Sequence, residues 1–151
     1  MTYQTDFLND GSATADSTYT TYVPSRAFDN DTGSYWLSDE TAFPHWIKYN
    51  LGALVAKKAR KLRLLPGEQQ IKDFKLEGSN NDSVWTELLE GEATWNLEWN
   101  EWEFNNAVAY QYYKITVTSN HTEGGNTCAG INEIELMEAI VSATKFNKGF
   151  N

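Results

Sequence analysis

The chain has 151 residues, 40% hydrophobic and 14% aromatic, with 12 basic and 21 acidic side chains and a formal net charge of -9. That length is one ordinary domain, and its hydrophobic and charged shares are those of a globular protein rather than a disordered one. The acidity excludes a broad basic surface for nucleic acid, no run of about 18 apolar residues is present to insert into a membrane, and the single cysteine, Cys128, excludes an internal disulfide.

The predicted elements follow in chain order. Residues 1–12 are a polar lead-in, and the Ser- and Thr-rich stretch up to Tyr22 holds at most one strand. The start, Met1 to Asp6, has neither a basic nor an apolar signal-peptide region, which predicts synthesis in the cytoplasm. From Val23 onward short apolar runs alternate with turn residues. Trp46 to Leu51 is a strand closed by Gly52, and Leu62 to Leu65 one closed by Pro66-Gly67. Phe74 to Glu77 alternates at period two before the turn Gly78 to Asp82, and Val84 to Leu89 follows. Tyr113 to Thr118 puts Tyr113, Ile115 and Val117 on one face, and the region Ile134 to Glu138 gives the last strand. Strands at this spacing, with high aromatic content and no long amphipathic helix, predict an all-β sandwich or barrel over residues 13–140. Residues 141–151 form a lightly basic tail with Phe146 and Phe150, free or docked on a neighbouring subunit.

Charge is segregated. Lys57, Lys58, Arg60, Lys61 and Arg63 crowd one stretch, while no Lys or Arg lies between Leu76 and Tyr113. Both stretches read as solvated faces, or as complementary faces through which copies form a homo-oligomer.

Four segments share one grammar: Ala27-Phe28-Asp29-Asn30-Asp31-Thr32-Gly33-Ser34-Tyr35-Trp36, Pro44 to Gly52, Ile71 to Trp85, and Tyr110 to Ile115 followed by Gly130-Ile131-Asn132-Glu133-Ile134-Glu135-Leu136. In this order they resemble the discoidin domain, also called the coagulation-factor C-type or galactose-binding-like domain, from about Ala13 to Glu138. The resemblance implies an antiparallel jelly-roll β-sandwich with a ligand site in the loops at one end. It also implies a structural calcium ion held by the side chains of Asp29, Ser34 and Glu133 and the carbonyls of Arg26, Asp31, Ser34 and Asn132. Read without the resemblance, Asp29 and Asp31 make Asx turns with their own backbone.

Phe28, Trp36, Trp46 and Trp85 fall where the family places core or core-edge aromatics. Trp95, Trp99 and Trp102 are spaced by four and three residues in a polar stretch, which fits one face of a short helical turn or an exposed loop. An exposed indole beside Asn and Glu suits a sugar, whose apolar face stacks on the ring. Trp102 is expected to point inward, leaving Trp95 and Trp99. The loop Asn120 to Cys128, with His121, Glu123, Asn126 and Thr127, borders the same end by resemblance, and His45 is expected to reach it. The sugar-binding branch often carries an Arg after the Pro of the strand ending at Pro66. Here Gly67-Glu68-Gln69-Gln70 stands there, so Glu68 is the substitute candidate and galactose itself is disfavoured.

Catalysis has no motif to support it: two histidines, no Gly-x-Ser-x-Gly and no His-Glu-x-x-His. The expectation is a non-catalytic module that binds cell-surface glycan through Trp95, Trp99, His121, Asn126, His45 and Glu68. It is pictured as a virion tail, fibre or capsid-surface component, or as extracellular after cytoplasmic synthesis. The alternative is a decoration or cement protein that touches only neighbouring virion proteins.

Overall fold

The structure, a computed structural model, describes residues 1–122 and 124–141. Among the described residues, nine strands form two antiparallel sheets. They are β1 (Ser12–Ala15), β2 (Trp36–Leu37), β3 (His45–Asn50), β4 (Lys61–Pro66), β5 (Asp73–Ser79), β6 (Thr86–Glu92), β7 (Asn100–Glu103), β8 (Tyr112–Val117) and β9 (Gly130–Met137). One sheet runs β1-β3-β8-β5-β6 and the other β2-β9-β4-β7. A 3₁₀ turn, Pro24–Phe28, packs on β9. The expected sandwich is therefore present.

Strand parity builds the core. In β3 the inward positions are His45, Ile47 and Tyr49, and in β8 Tyr113, Ile115 and Val117, matched by Phe74 and Leu76 of β5. Trp36, Leu62, Leu64, Ile131, Ile134 and Leu136 face them from the second sheet. Burying a Leu or Ile is worth about 1.5–3 kcal/mol, so a one-residue slip of register is prohibitive. Trp102 of β7 packs edge-on against Phe74, with ring centroids 4.9 Å apart, which bears out its inward reading.

Three expectations change, and one open choice is resolved. Trp46 and Trp85 do not join the core between the sheets. They lie half-buried on the outer face of the first sheet, under Lys48 and Lys114 respectively, because β3 parity turns Trp46 opposite to His45 and Ile47. The lead-in is tied along β9: Leu8 is fully buried, the Phe7 amide donates to the Leu136 carbonyl, and Asp6 accepts from the Leu136 amide. The tryptophan-rich segment makes a loop and then β7, with no helical turn. Finally, the basic run is largely spent within the fold. Lys61 and Arg63 pair with Glu101, Arg63 also with Glu135, and the Arg60 guanidinium donates to the Phe104 carbonyl. The Phe146 and Phe150 positions lie outside the described residues.

Register also fixes which loops meet. His45 begins β3 opposite Val117 at the end of β8, and Val117 faces Phe74 near the start of β5. Asp73 faces Glu92 at the end of β6, and Pro66 and Leu37 face the start of β9. Loops 38–44, 67–72, 93–99 and 118–129 therefore gather at one end. Between Leu65 and Pro66 the register shifts, leaving Asn132 as an extra, unpaired residue of β9.

Candidate functional site

Loop 93–99 is pinned at both ends. The amide of buried Ala93 donates to the Lys72 carbonyl at 2.9 Å. The Thr94 amide and hydroxyl both donate to Asn100 Oδ1, and Asn100 Nδ2 donates to the Glu98 carbonyl. These side-chain bonds compete with a helix and explain the loop. They leave Trp95 projecting from it, 66% exposed.

Trp95 does not hang free. Its ring lies almost parallel to that of His121, with centroids 6.1 Å apart and planes 6° from parallel. His121 is fixed in turn: its Nε2 donates to the Ala93 carbonyl at 2.7 Å, and its amide donates to the Gln70 carbonyl. Gly124 and Gly125, at φ +85° and +82°, let the neighbouring loop turn sharply. Asn126 sits there half-buried, with its Oδ1 accepting from the Cys128 amide at 2.8 Å, a bond that aims its Nδ2 donor away from that amide. Glu123 lies outside the described residues.

Beside this platform opens a cleft of about 550 Å³, lined by Tyr35, Glu68, Leu97, Glu98, Trp99 and Asn132 among others. The Arg63 guanidinium covers one face of Trp99, 4.2 Å from the ring centroid, while bonding Glu101 and Glu135. Tyr35 stacks on Tyr22 with centroids 4.6 Å apart, and Arg26 lies over Tyr22. The Tyr22 hydroxyl beside it, burial and the charge of Glu68 push the Tyr35 hydroxyl up to about 12, so it stays protonated. Sequence reasoning missed Tyr35 and Leu97. The signal for Tyr35 is its neighbour Trp36: one side chain goes to the core, so the next faces out.

His45 is a correction. It is 0% exposed, with Nδ1 on Asp16 Oδ2 at 2.8 Å and Nε2 facing the carbonyls of Thr127 and Thr41 at 2.8 and 3.1 Å. Its parity with Ile47 and Tyr49 turns it inward, where it ties three loops together and is closed to solvent. Glu68, in contrast, is exposed on the cleft.

The loop after the 3₁₀ turn carries the residues expected to hold a cation. Asp29 Oδ1 accepts from the Asp31 amide and Asp31 Oδ1 from the Gly33 amide, so both make Asx turns. Asn30 is in the left-handed region at φ +59°, and Asn132 Nδ2 donates to the Thr32 carbonyl at 2.7 Å. Glu133 stands out: it is 1% exposed, and neither carboxylate oxygen has a well-formed hydrogen bond. Burial pushes its carboxyl up to about 8; the negative charges of Asp29 and Asp6 add to the shift and the Asn30 amide opposes it. A buried, unpartnered carboxylate beside a second one fits a cation. Among the described residues no three His, Cys, Asp or Glu side chains converge, so an ion here would draw on backbone carbonyls such as those of Arg26, Asp31, Ser34 and Asn132.

Comparison with known proteins agrees with the fold. No curated protein matches the sequence significantly. Among solved structures, a family 32 carbohydrate-binding module of NanJ from Clostridium perfringens, in complex with galactose, superposes with a TM-score of 0.77 at 22% identity, over 91% of this chain and 100% of that one. A second C. perfringens module, in complex with GalNAc-β-1,3-galactose, gives 0.77 at 17% identity, over 88% and 99%. A chitosan-binding module from a chitosanase/glucanase of Paenibacillus sp. IK-5 gives 0.75 at 22%, over 87% and 97%. Residues 12–134 match the model of the F5/8 type C domain, and the chain belongs to that family.

Proposed function

We propose that the protein is a non-catalytic carbohydrate-binding module that grips glycans at the loop end carrying Trp95. The observation that carries this reading is an indole left 66% exposed with its plane nearly parallel to the anchored ring of His121. Such a ring offers a pyranose a flat apolar face with little ordering cost. Glu68 and Asn126 Nδ2 are at hand for hydroxyls. Modules with this fold that bind galactose and chitosan support the same reading. Displayed on a particle surface, this end would give adhesion to host glycans. A glycan array with the wild type and Trp95→Ala tests it: the array should respond, and the variant should not. A silent array with folded wild type would refute it.

A structural calcium ion belongs to the same proposal. Asp29, Ser34 and Glu133 would hold it with neighbouring carbonyls, and the buried Glu133 carboxylate supports this placement. The ion would supply the charge that lets Glu133 ionise and would tie the 29–34 loop to β9.

A further inference from the structure

Resting on the glycan and ion readings of this loop end, and going beyond both, we propose that the two sites are coupled. Asn132 is the positioning residue that joins them, and calcium held by Asp29 and Glu133 raises glycan affinity.

The cation loop is one wall of the cleft. Thr32, Gly33 and Tyr35 line the cleft beside Trp99 and follow directly on Asp29 and Asp31. Asn132 lines it from β9, one residue before Glu133. The Asx turns at Asp29 and Asp31, with the Ser34 amide donating to the Asp31 carbonyl, make residues 29–34 one unit. Among the described residues, the sole hydrogen bond from residues 31–33 to the rest of the fold runs from Asn132 Nδ2 to the Thr32 carbonyl, at 2.7 Å.

The local sequence places this strut. The register shift at Leu65/Pro66 leaves Asn132 without a partner on β4, half-buried and facing the cleft, while Glu133 turns inward. Gly67 supplies the room for it: a Cβ there would stand 3.1 Å from Asn132 Oδ1.

One hydrogen bond is a weak hold on a wall. A ligand that meets such a wall must order it, and that cost comes off its affinity. Asp29 and Ser34, joined through calcium to the buried Glu133 carboxylate, would be fastened to β9 on either side of Thr32. Asn132 then carries that fastening to the tip that faces the cleft. Coupling between two sites typically amounts to about 5–150-fold in affinity, and it is reciprocal.

The experiment is a glycan array read in calcium and in EDTA, at a temperature where circular dichroism shows the protein folded in both. Wild type should respond at least about fivefold more strongly in calcium. Asp29→Ala should give no calcium heat in calorimetry and the weaker response in both buffers. Asn132→Ala keeps its backbone carbonyl and should still take up calcium, yet its array response should be the same in both buffers. Gly67→Ala, which crowds Asn132 Oδ1 and leaves the ion's donors in place, should lessen the calcium effect. Calcium alone should slow amide exchange at Gly33 and Tyr35 in wild type and not in Asn132→Ala. Equal responses of wild type in the two buffers overturn the inference, as does a calcium effect that survives Asn132→Ala, or wild type that gives no calcium heat. In each of these cases a responding array leaves the glycan reading standing. An array silent in both buffers removes that reading, and the inference with it.

Discussion

The indole of Trp95 and the imidazole of His121 stack nearly parallel across two loops that are 26 positions apart in sequence, and His121 Nε2 anchors the pair by donating to the Ala93 carbonyl. The platform is thus a joint product of the β6–β7 and β8–β9 connections. Removing either partner should affect binding. Trp95→Ala should weaken any glycan ligand by at least about tenfold while shifting the melting temperature little, because the ring is mostly exposed. His121→Ala should weaken binding less and cost some stability, because the bond to Ala93 goes with it. Calorimetric titration beside a melt of each variant checks both; full binding by Trp95→Ala would remove the platform from the site.

Glu133 gives a pH dependence whose sign follows from its raised pKa. In the ion-free protein the folded carboxyl keeps its proton up to about pH 8, while the unfolded chain releases it near 4.5. This contribution to stability is therefore complete below about pH 4.5 and is lost as pH rises toward 8. In EDTA the melting temperature should fall across that window, and calcium should restore it at the upper end. Glu133→Gln should show neither effect. Equal melts in EDTA and calcium at pH 8 would dismiss the ion.

His45 predicts a cost in stability without a change in ligand chemistry. His45→Ala removes bonds to Asp16, Thr41 and Thr127 and leaves a buried gap, on the order of 2–4 kcal/mol. Denaturant unfolding measures the loss. The fraction that stays folded should bind ligand as the wild type does, and a selective loss of binding at full stability would restore His45 to the site.

Gly78 in β5 predicts crowding. A Cβ there would collide with the ring of Tyr110, which itself packs edge-on against Tyr113. Gly78→Ala should cost about 1–3 kcal/mol in chemical denaturation. A neutral result would mean that Tyr110 can move aside.

Much of the sandwich was legible because its central strands alternate over five or more residues, as Tyr113, Ile115 and Val117 do. The short edge elements were not. Trp36–Leu37 is only two residues long, and Asn100–Glu103 has a single apolar side chain, Trp102, so neither carries a period. At the loop end, Trp95 and His121 could each be nominated from residue type, but the spacing of Trp95, Trp99 and Trp102 also suited a helix. Thr94 and Asn100 settle that choice through side-chain bonds that no period reports. His45 was misjudged from its neighbours Pro44 and Trp46, when its parity with Ile47 and Tyr49 already turned it inward. Tyr35 was invisible because its partner, Tyr22, lies 13 positions away across the 3₁₀ turn.

Tyr3 bridges to Ala139, and the Gln4 amide donates to the Glu138 carbonyl just past the end of β9. The first and last described stretches thus lie side by side at the pole opposite Trp95. A bead or tag attached at the N-terminus would present the aromatic pole outward. The direction of β9, which starts at the loop end and finishes beside the lead-in, makes the molecule suited to oriented immobilisation.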